Sequence, residues 1–161
     1  WRDYNPILPG SQLPDAWHSY FAIGATMADL TQTPANVRRQ VATQRTSVTA
    51  GEVITPGMPV YRSTADNEWY KAADTSAALA AAGGIALTNA GDGEVLDVAT
   101  DGPINVGATL TIGEIYVLSG TAGNIAPVGD LASGNFVTIL GVASTASQLE
   151  LSITASGVAK P

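Results

Sequence analysis

The sequence predicts a mainly β protein: a compact β-sandwich or small β-barrel with one short helix, preceded by an extended N-terminal arm. The predicted β-domain spans residues 47–161. From Ser47 onward, apolar and polar residues alternate with a period of two, and turn residues interrupt the pattern about every 8 to 12 positions. The predicted arm spans residues 1–46. Pro6, Pro9 and Pro14 exclude helix from its first part, because proline removes a donor and restricts its neighbour.

The start of the arm carries large apolar side chains that have no partners of their own. Trp1, Tyr4, Ile7 and Leu8 lie among the prolines. An irregular segment cannot bury such side chains against itself, and leaving them in water is costly. We therefore expect a neighbouring molecule to cover them.

Residues 15–30 are compatible with a helix or an irregular segment, and the helix is favoured. Asp15 suits an N-cap, and a helix that begins there places Trp17, Tyr20 and Phe21 on one face. A second start signal is Thr33 followed by a proline at the first helical position, although valines limit that helix to two turns at most.

The strands of the predicted domain follow from the alternation of apolar residues. The clearest is QLELSIT, in which Leu149, Leu151 and Ile153 share one face. Residues 115–118 and 136–140 are apolar on both faces, which predicts central or interfacial strands. The other predicted strands are EVIT, PVYRS, EWYKA, GIALTNA, EVLDVAT and PINV, together with the segments EIYVLS and NFVTILGVAS that contain the two apolar runs.

Two further local signals complete the domain. Asp74 is a predicted N-cap for a short helix over the alanine-rich residues 75–82, which Gly83 and Gly84 would end. Pro59 and Pro103, at strand starts, predict edge positions or first residues, where a missing donor is tolerated.

Composition narrows the classes of function. Charged residues make up 13% of the chain, against about 25% in typical proteins, which favours a surface covered by partners. The net charge of −7 argues against nucleic acid as a partner. The absence of cysteine removes disulfides and thiolate sites. The sequence shows neither a long apolar run nor a basic-then-apolar leader, so no membrane span or signal peptide is expected.

The sequence offers little to catalysis, and we expect no enzyme and no cofactor. From Gly51 onward there are three cations against eleven acids and no histidine. His18 is the one imidazole of the chain, and its neighbours Asp15 and Ser19 are too close in sequence to form a triad. No nucleotide-binding or nucleophile-elbow motif is present.

Two groups of side chains could bind a small ligand, although ordinary structural roles are favoured for both. The acids Asp92, Glu94, Asp97 and Asp101 invite a calcium hypothesis, but their spacing is not that of an EF-hand and turn acids are commoner. The aromatic residues of the second group could form a sugar-binding platform, or a core or interface cluster. This group consists of Tyr61, Trp69 and Tyr70.

The arm is the only basic part of the chain. Arg38, Arg39 and Arg45 could be solvated, but an acidic partner is favoured because the rest of the protein is acidic. Neither a catalytic nor a metal-binding residue is predicted. The residues predicted to bind a partner, either a capsid or a neighbouring subunit, are Trp1, Tyr4, Ile7, Leu8, Trp17, Tyr20, Phe21, Arg38 and Arg39.

The chain from Ala50 to its end resembles the head decoration, or capsid cement, proteins of tailed bacteriophages. The resemblance lies in the segments GEVITPGMPVY, GIALTNAGDGEVLDVAT, GATLTIGEIYVLSGTAGNIAPV and FVTILGVASTASQLELSI. It implies a compact β-domain without catalytic residues that binds the major capsid protein on the outside of a head, commonly as a homotrimer. It further implies a virion location after assembly in the host cytoplasm. A phage tail or fibre module that recognises the host surface is the alternative, and residues 1–45 lie outside the resemblance.

Overall fold

The structure, a computed structural model, describes residues 28–161. It is mainly β, as the sequence predicts, and its antiparallel strands form a curled sheet with the shape of a half-barrel. Most of the predicted arm, including the predicted helix that begins at Asp15, lies outside the described residues.

Ten strands make up the sheet. They are β1 (Val37–Arg39), β2 (Gln44–Thr49), β3 (Pro59–Arg62), β4 (Trp69–Lys71), β5 (Ala82–Ala86), β6 (Val95–Val106), β7 (Ile115–Leu118), β8 (Ile125–Pro127), β9 (Phe136–Ala143) and β10 (Gln148–Ala159). The main path runs β4-β3-β5-β6-β10-β9-β7-β8. The two apolar runs became β7 and β9, and both are interior to this path, as predicted.

Strand β6 organises the sheet because it is paired along both of its edges. Ile104 lies between Leu149 of β10 on one side and Arg39 of β1 on the other. Further back along β6, Ala99 lies between β5 and β2. Two strands therefore follow one another along each edge of β6, β5 and β10 on one side and β1 and β2 on the other.

The curled sheet encloses two groups of buried side chains. The larger group lies between β5, β6, β7, β9 and β10, and the smaller lies under β3 and the first half of β6. The prediction for β10 is confirmed, since Leu149 and Leu151 are buried while Glu150 between them is exposed. Each such leucine contributes about 1.5–3 kcal/mol through its burial.

The predicted helix after Asp74 is wrong. Residues 74–80 form consecutive turns, with one helix-type hydrogen bond from the N–H of Ala80 to Ser76 (2.9 Å), and Ala82 already belongs to β5. A helix this short is marginal without tertiary support. Tertiary contacts instead draw the segment inward, because the Thr138 hydroxyl donates to the carbonyl of Ala80 (2.6 Å).

The predicted helix start after Thr33 is confirmed, with Pro34 at the first helical position, but the helix is a single 3-10 turn, Pro34–Asn36. Val37 then begins β1. Val37 is buried opposite Val106, so pairing with the free edge of β6 outweighs the local helix signal. The predicted boundary between residues 46 and 47 falls inside β2, so the sheet begins earlier than the sequence suggests.

Other differences concern strand limits. EVIT contributes only an isolated bridge between Ile54 and Ala90, while EVLDVAT and PINV are two halves of β6. Strand β8 was not predicted. Pro59 is the first residue of β3, as expected, but Pro103 lies within β6.

Asp74 is buried rather than exposed at a helix start. Its Oδ1 accepts a hydrogen bond from the Asn135 side chain (2.7 Å), while its Oδ2 has no partner among the described residues. Burial raises the pKa of Asp74 above its ordinary value of 3.8, the Asn135 hydrogen bond opposes this shift, and the negative charge of Asp29 adds to it. The ionised form is therefore disfavoured in the folded protein.

Replacing Asp74 by asparagine tests this effect. Because the folded pKa is raised, the native protein holds this proton more tightly than the unfolded chain, and wild-type stability falls as the pH rises above 3.8 through the folded value. We expect the stability of Asp74→Asn relative to wild type to increase over that pH interval, as measured by urea unfolding. Asp101→Asn, an exposed control, should show no such trend. A pH-independent difference for Asp74→Asn would contradict the assignment.

Gly141 marks the closest approach of β9 and β10. A Cβ at this position would overlap the carbonyl oxygen of Glu150 on the neighbouring strand. We expect Gly141→Ala to lower the free energy of unfolding by about 1–3 kcal/mol, because the two backbones must separate. Gly129→Ala serves as the control, since no atom lies within 4 Å of a Cβ there, and it should change stability by less than about 0.5 kcal/mol. Equal effects in the two variants would rule out the steric explanation.

Candidate partner-binding surface

A loop of residues 40–43 interrupts the strand that runs along one edge of β6. Strands β1 and β2 pair with that edge one after the other, and the loop between them lies opposite Gly102 and Pro103. Gly102 has a φ of +87°, and a Cβ there would lie 2.7 Å from the carbonyl oxygen of Ala42. Pro103 has no N–H to offer a partner strand, so the chain can leave the sheet here without a lost ladder bond.

Thr43 fixes the conformation of this loop. Its hydroxyl donates to the carbonyl of Pro103 and accepts from the N–H of Gln40 (2.7 Å). The N–H of Thr43 in turn donates to the carbonyl of Gln40 (3.2 Å). With its base closed in this way, the loop projects Val41, which is fully exposed.

Three of the chain's seven lysine and arginine residues flank the loop. Arg45 donates to the Asp97 carboxylate (2.7 Å), which also accepts a hydrogen bond from Ser47. Arg38 donates to the carbonyl of Val37 (2.9 Å). Within the part of the chain that the structure describes, neither Arg38 nor Arg39 forms an ion pair. We call Arg38, Arg39, Arg45 and Val41 the arginine surface.

Two surface depressions adjoin the arginine surface, and Arg38 lines both. One is polar, with Asn36, Asn105 and Thr109 among its lining residues. The other lies between Arg39 and Leu87. A guanidinium group binds carboxylates through paired hydrogen bonds, so this surface is suited to an acidic partner.

The acidic stretch that prompted a calcium hypothesis is divided between separate roles. Asp97 is occupied by Arg45 and Ser47, and Glu94 accepts a hydrogen bond from the N–H of Gly91 (2.7 Å). Among residues 28–161 no three histidine, cysteine or acidic side chains are grouped so as to hold a metal ion. In the described region Asp97 therefore acts as a strand residue and Glu94 as a turn residue.

The three aromatic residues do not form a single platform. Tyr61 and Tyr70 lie opposite each other on β3 and β4, with ring centroids 6.2 Å apart. Trp69 is adjacent to Tyr70 in β4, so its side chain points to the other face, where it packs over Gly83. The Tyr70 hydroxyl donates to Asp66 (2.7 Å), an interaction that raises the pKa of Tyr70 to about 12 and lowers that of Asp66.

The predicted partner-binding residues are only partly covered by the structure. Arg38 and Arg39 lie near Arg45 along one exposed edge of the sheet, and as neighbours in β1 they point to opposite faces of it. The remaining predicted residues lie outside the described residues: Trp1, Tyr4, Ile7, Leu8, Trp17, Tyr20 and Phe21. Sequence reasoning missed Val41, because the valines of VRRQVATQ were considered only as residues that weaken a short helix.

No protein-family model and no curated protein matches this chain. In residues 28–161 there is no helix of sufficient length and hydrophobicity to cross a membrane. An assignment of function therefore depends on the side chains described above.

The exposed arginines should matter little to folding. We expect the double variant Arg38→Gln, Arg39→Gln to change the free energy of unfolding by less than about 1 kcal/mol, since exposed substitutions usually have small effects. Arg45→Gln should cost up to about 1 kcal/mol, and less at high salt, because it removes a partly exposed ion pair. Urea unfolding at two ionic strengths measures both. A large loss of stability in the double variant would mean that Arg38 and Arg39 support the fold rather than a partner.

Proposed function

We propose that this protein is a virion structural protein, a capsid decoration protein that binds the outside of a phage head and stabilises the shell. The proposal unites the sequence resemblance with the arginine surface. The observation that carries it is that two arginines, which lack an acidic partner in the described residues, lie next to a fully exposed valine on an acidic β-domain.

The proposed partner is the major capsid protein. An acidic patch with an apolar centre on the capsid would complement Arg38, Arg39 and Val41. Complementary charges steer association and fix register, and an exposed valine adds apolar contact. A carboxylate held by either arginine in a desolvated contact would bind more strongly than a surface ion pair in water.

Shell stabilisation follows from simple linkage. A module that binds only the assembled lattice lowers the free energy of that lattice by its binding energy at each site. When several copies are joined as a closed homotrimer, each further contact becomes intramolecular, so modest affinity at one contact is sufficient. A sheet with few exposed charges and long paired strands suits a part that must resist deformation.

A charge reversal tests the proposed contact. We expect Arg39→Glu to weaken binding to heads assembled from the major capsid protein encoded with this chain by tenfold or more, because the new carboxylate would repel the acidic patch on the capsid. A tenfold change in affinity corresponds to about 1.4 kcal/mol. Arg62→Glu, on β3, makes the same change in charge away from the arginine surface and should bind as wild type. Co-sedimentation at several salt concentrations measures both. Equal weakening in the two variants would refute a specific role for the arginine surface.

The location of the protein separates the proposal from the alternative of a tail or fibre module. An electron-dense tag after Pro161 should decorate the head in micrographs of whole particles, because the proposed partner forms the shell. Label at the tail tip would instead support the host-recognition alternative. The wild-type particle carrying an unattached label is the control.

A further inference from the structure

Strand β2 has one edge without a partner strand in the described residues. Among residues 28–161, β2 pairs with β6 alone, so its opposite edge carries no further strand of the sheet. Five of the six side chains of β2 are exposed, and the sixth, Val48, is half-buried. An edge of this kind presents a row of backbone donors and acceptors to which another strand can pair.

Hydrogen bonds at the end of β2 show which of its backbone groups face β6. The N–H of Ala50 donates to the carbonyl of Glu94, the residue before β6 (2.9 Å). Successive residues of a strand direct their N–H and C=O groups to alternate sides, so those of Val48 and Thr46 also point to β6.

Strand β6 shows the same alternation from its own side. The carbonyl of Asp97 accepts a hydrogen bond from the N–H of Leu87, just after β5 (2.8 Å). Asp97 therefore directs its backbone groups away from β2, and its two neighbours direct theirs toward it. Those neighbours lie opposite Thr46 and Val48, as the alternation along β2 requires.

The backbone groups of Arg45 and Ser47 and the N–H of Thr49 consequently point to the unpaired edge. Beyond Thr49 this edge is covered, because Ala50 forms a bridge with Trp69 and the N–H of Gly51 donates to the carbonyl of Trp69 (2.9 Å). We call residues 45–49 the open edge.

The open edge lacks the features that usually prevent strand addition. Proteins protect such edges with proline, with lysine or with a bulge. The sequence QRTSVT of β2 contains neither proline nor lysine, and its one irregularity lies before the open edge, between Gln44 and Arg45. The single charge of the strand, on Arg45, is paired within the sheet with Asp97 (2.7 Å).

The two faces of the open edge differ in chemistry. Arg45 and Ser47 lie on one face, where both contact Asp97. Thr46 and Val48 lie on the other face, and Val48 packs against the smaller group of buried side chains. Pairs of opposite charge and pairs of β-branched residues stabilise neighbouring strands. The best complement is therefore a strand in which acidic and β-branched residues alternate.

We propose that the open edge receives an extended segment of a partner protein as an additional strand, with acidic and β-branched residues alternating along that segment. Backbone hydrogen bonds would supply affinity and the alternating side chains specificity. Charge favours an acidic segment, because Arg38 and Arg39 flank this edge on a chain whose net charge is −7. A second copy paired through β2 would instead bring its own arginines to the same place. The inference goes beyond the proposed function, since it does not require that the partner be a capsid.

Amide hydrogen exchange, measured by NMR on the full-length chain, tests whether the edge is open. We expect the N–H groups of Arg45, Ser47 and Thr49 to exchange at least about tenfold faster than those of Thr46 and Val48, which are bonded to β6. Equal protection of all five would show that the edge is already covered and would overturn the proposal. Protection of Ser47 that grows with protein concentration would identify a second copy as the occupant, and would also overturn it.

A pair of synthetic peptides tests the chemistry of the added strand. The probe is TEVEVET with both ends blocked, and TKVKVKT is its matched control of opposite charge. At millimolar concentration we expect the acidic peptide to slow exchange at Arg45 and Ser47 about tenfold, and the basic peptide to leave it unchanged. Absence of protection by the acidic peptide would refute strand addition, and equal protection by both would refute the acidic partner.

Proline substitution tests whether the peptide pairs with the backbone of β2. Ser47→Pro removes an N–H that β6 does not use, and proline is tolerated at edges of this kind. We expect it to weaken binding of TEVEVET by about tenfold or more relative to Ser47→Ala, which keeps the N–H but also loses the hydrogen bond to Asp97. Thr49→Pro removes another outward N–H and serves if the first variant folds poorly. Proline variants that bind as tightly as Ser47→Ala would overturn the proposal.

Discussion

The fold depends on the pairing of β6 along both of its edges. Its twelve residues are hydrogen-bonded to β5 and β10 on one side and to β1 and β2 on the other. One neighbour replaces the next along each edge: β5 gives way to β10 on one side, and on the other the loop of residues 40–43 leaves the edge opposite Gly102 and Pro103. The position of the arginine surface is a consequence of this arrangement.

Charge in this protein is distributed in a way that folding does not require. An exposed ion pair contributes little to stability, so two arginines without acidic partners in the described region cost the fold almost nothing. The same guanidinium groups become valuable once a partner excludes water from them. Their position on an otherwise acidic protein is consistent with binding to a second acidic surface, which would otherwise repel this one.

The alternation of residues was sufficient to predict most strands, as β10 shows, where the buried leucines follow directly from the period of two. Leu149 and Leu151 could be assigned to the interior without any knowledge of their neighbours. The helix predicted after Asp74 is absent, and the one after Thr33 stops after a single 3-10 turn, for one reason. A short helix gains little by itself, and burial of Val37 and Asp74 among distant residues outweighs the local start signals.

The sequence alone determined the β class, the interior placement of β7 and β9, and the concentration of arginine near residue 40, since these depend on composition and local periodicity. Only the tertiary structure decided that Arg38 and Arg39 lie on a strand beside an exposed loop, and that Trp69 and Tyr70 face opposite ways. The physical reason is that strand partners are chosen by edges and faces far apart in the chain. A residue such as Val41 or Val142 has no local feature that shows which side of the sheet it will occupy.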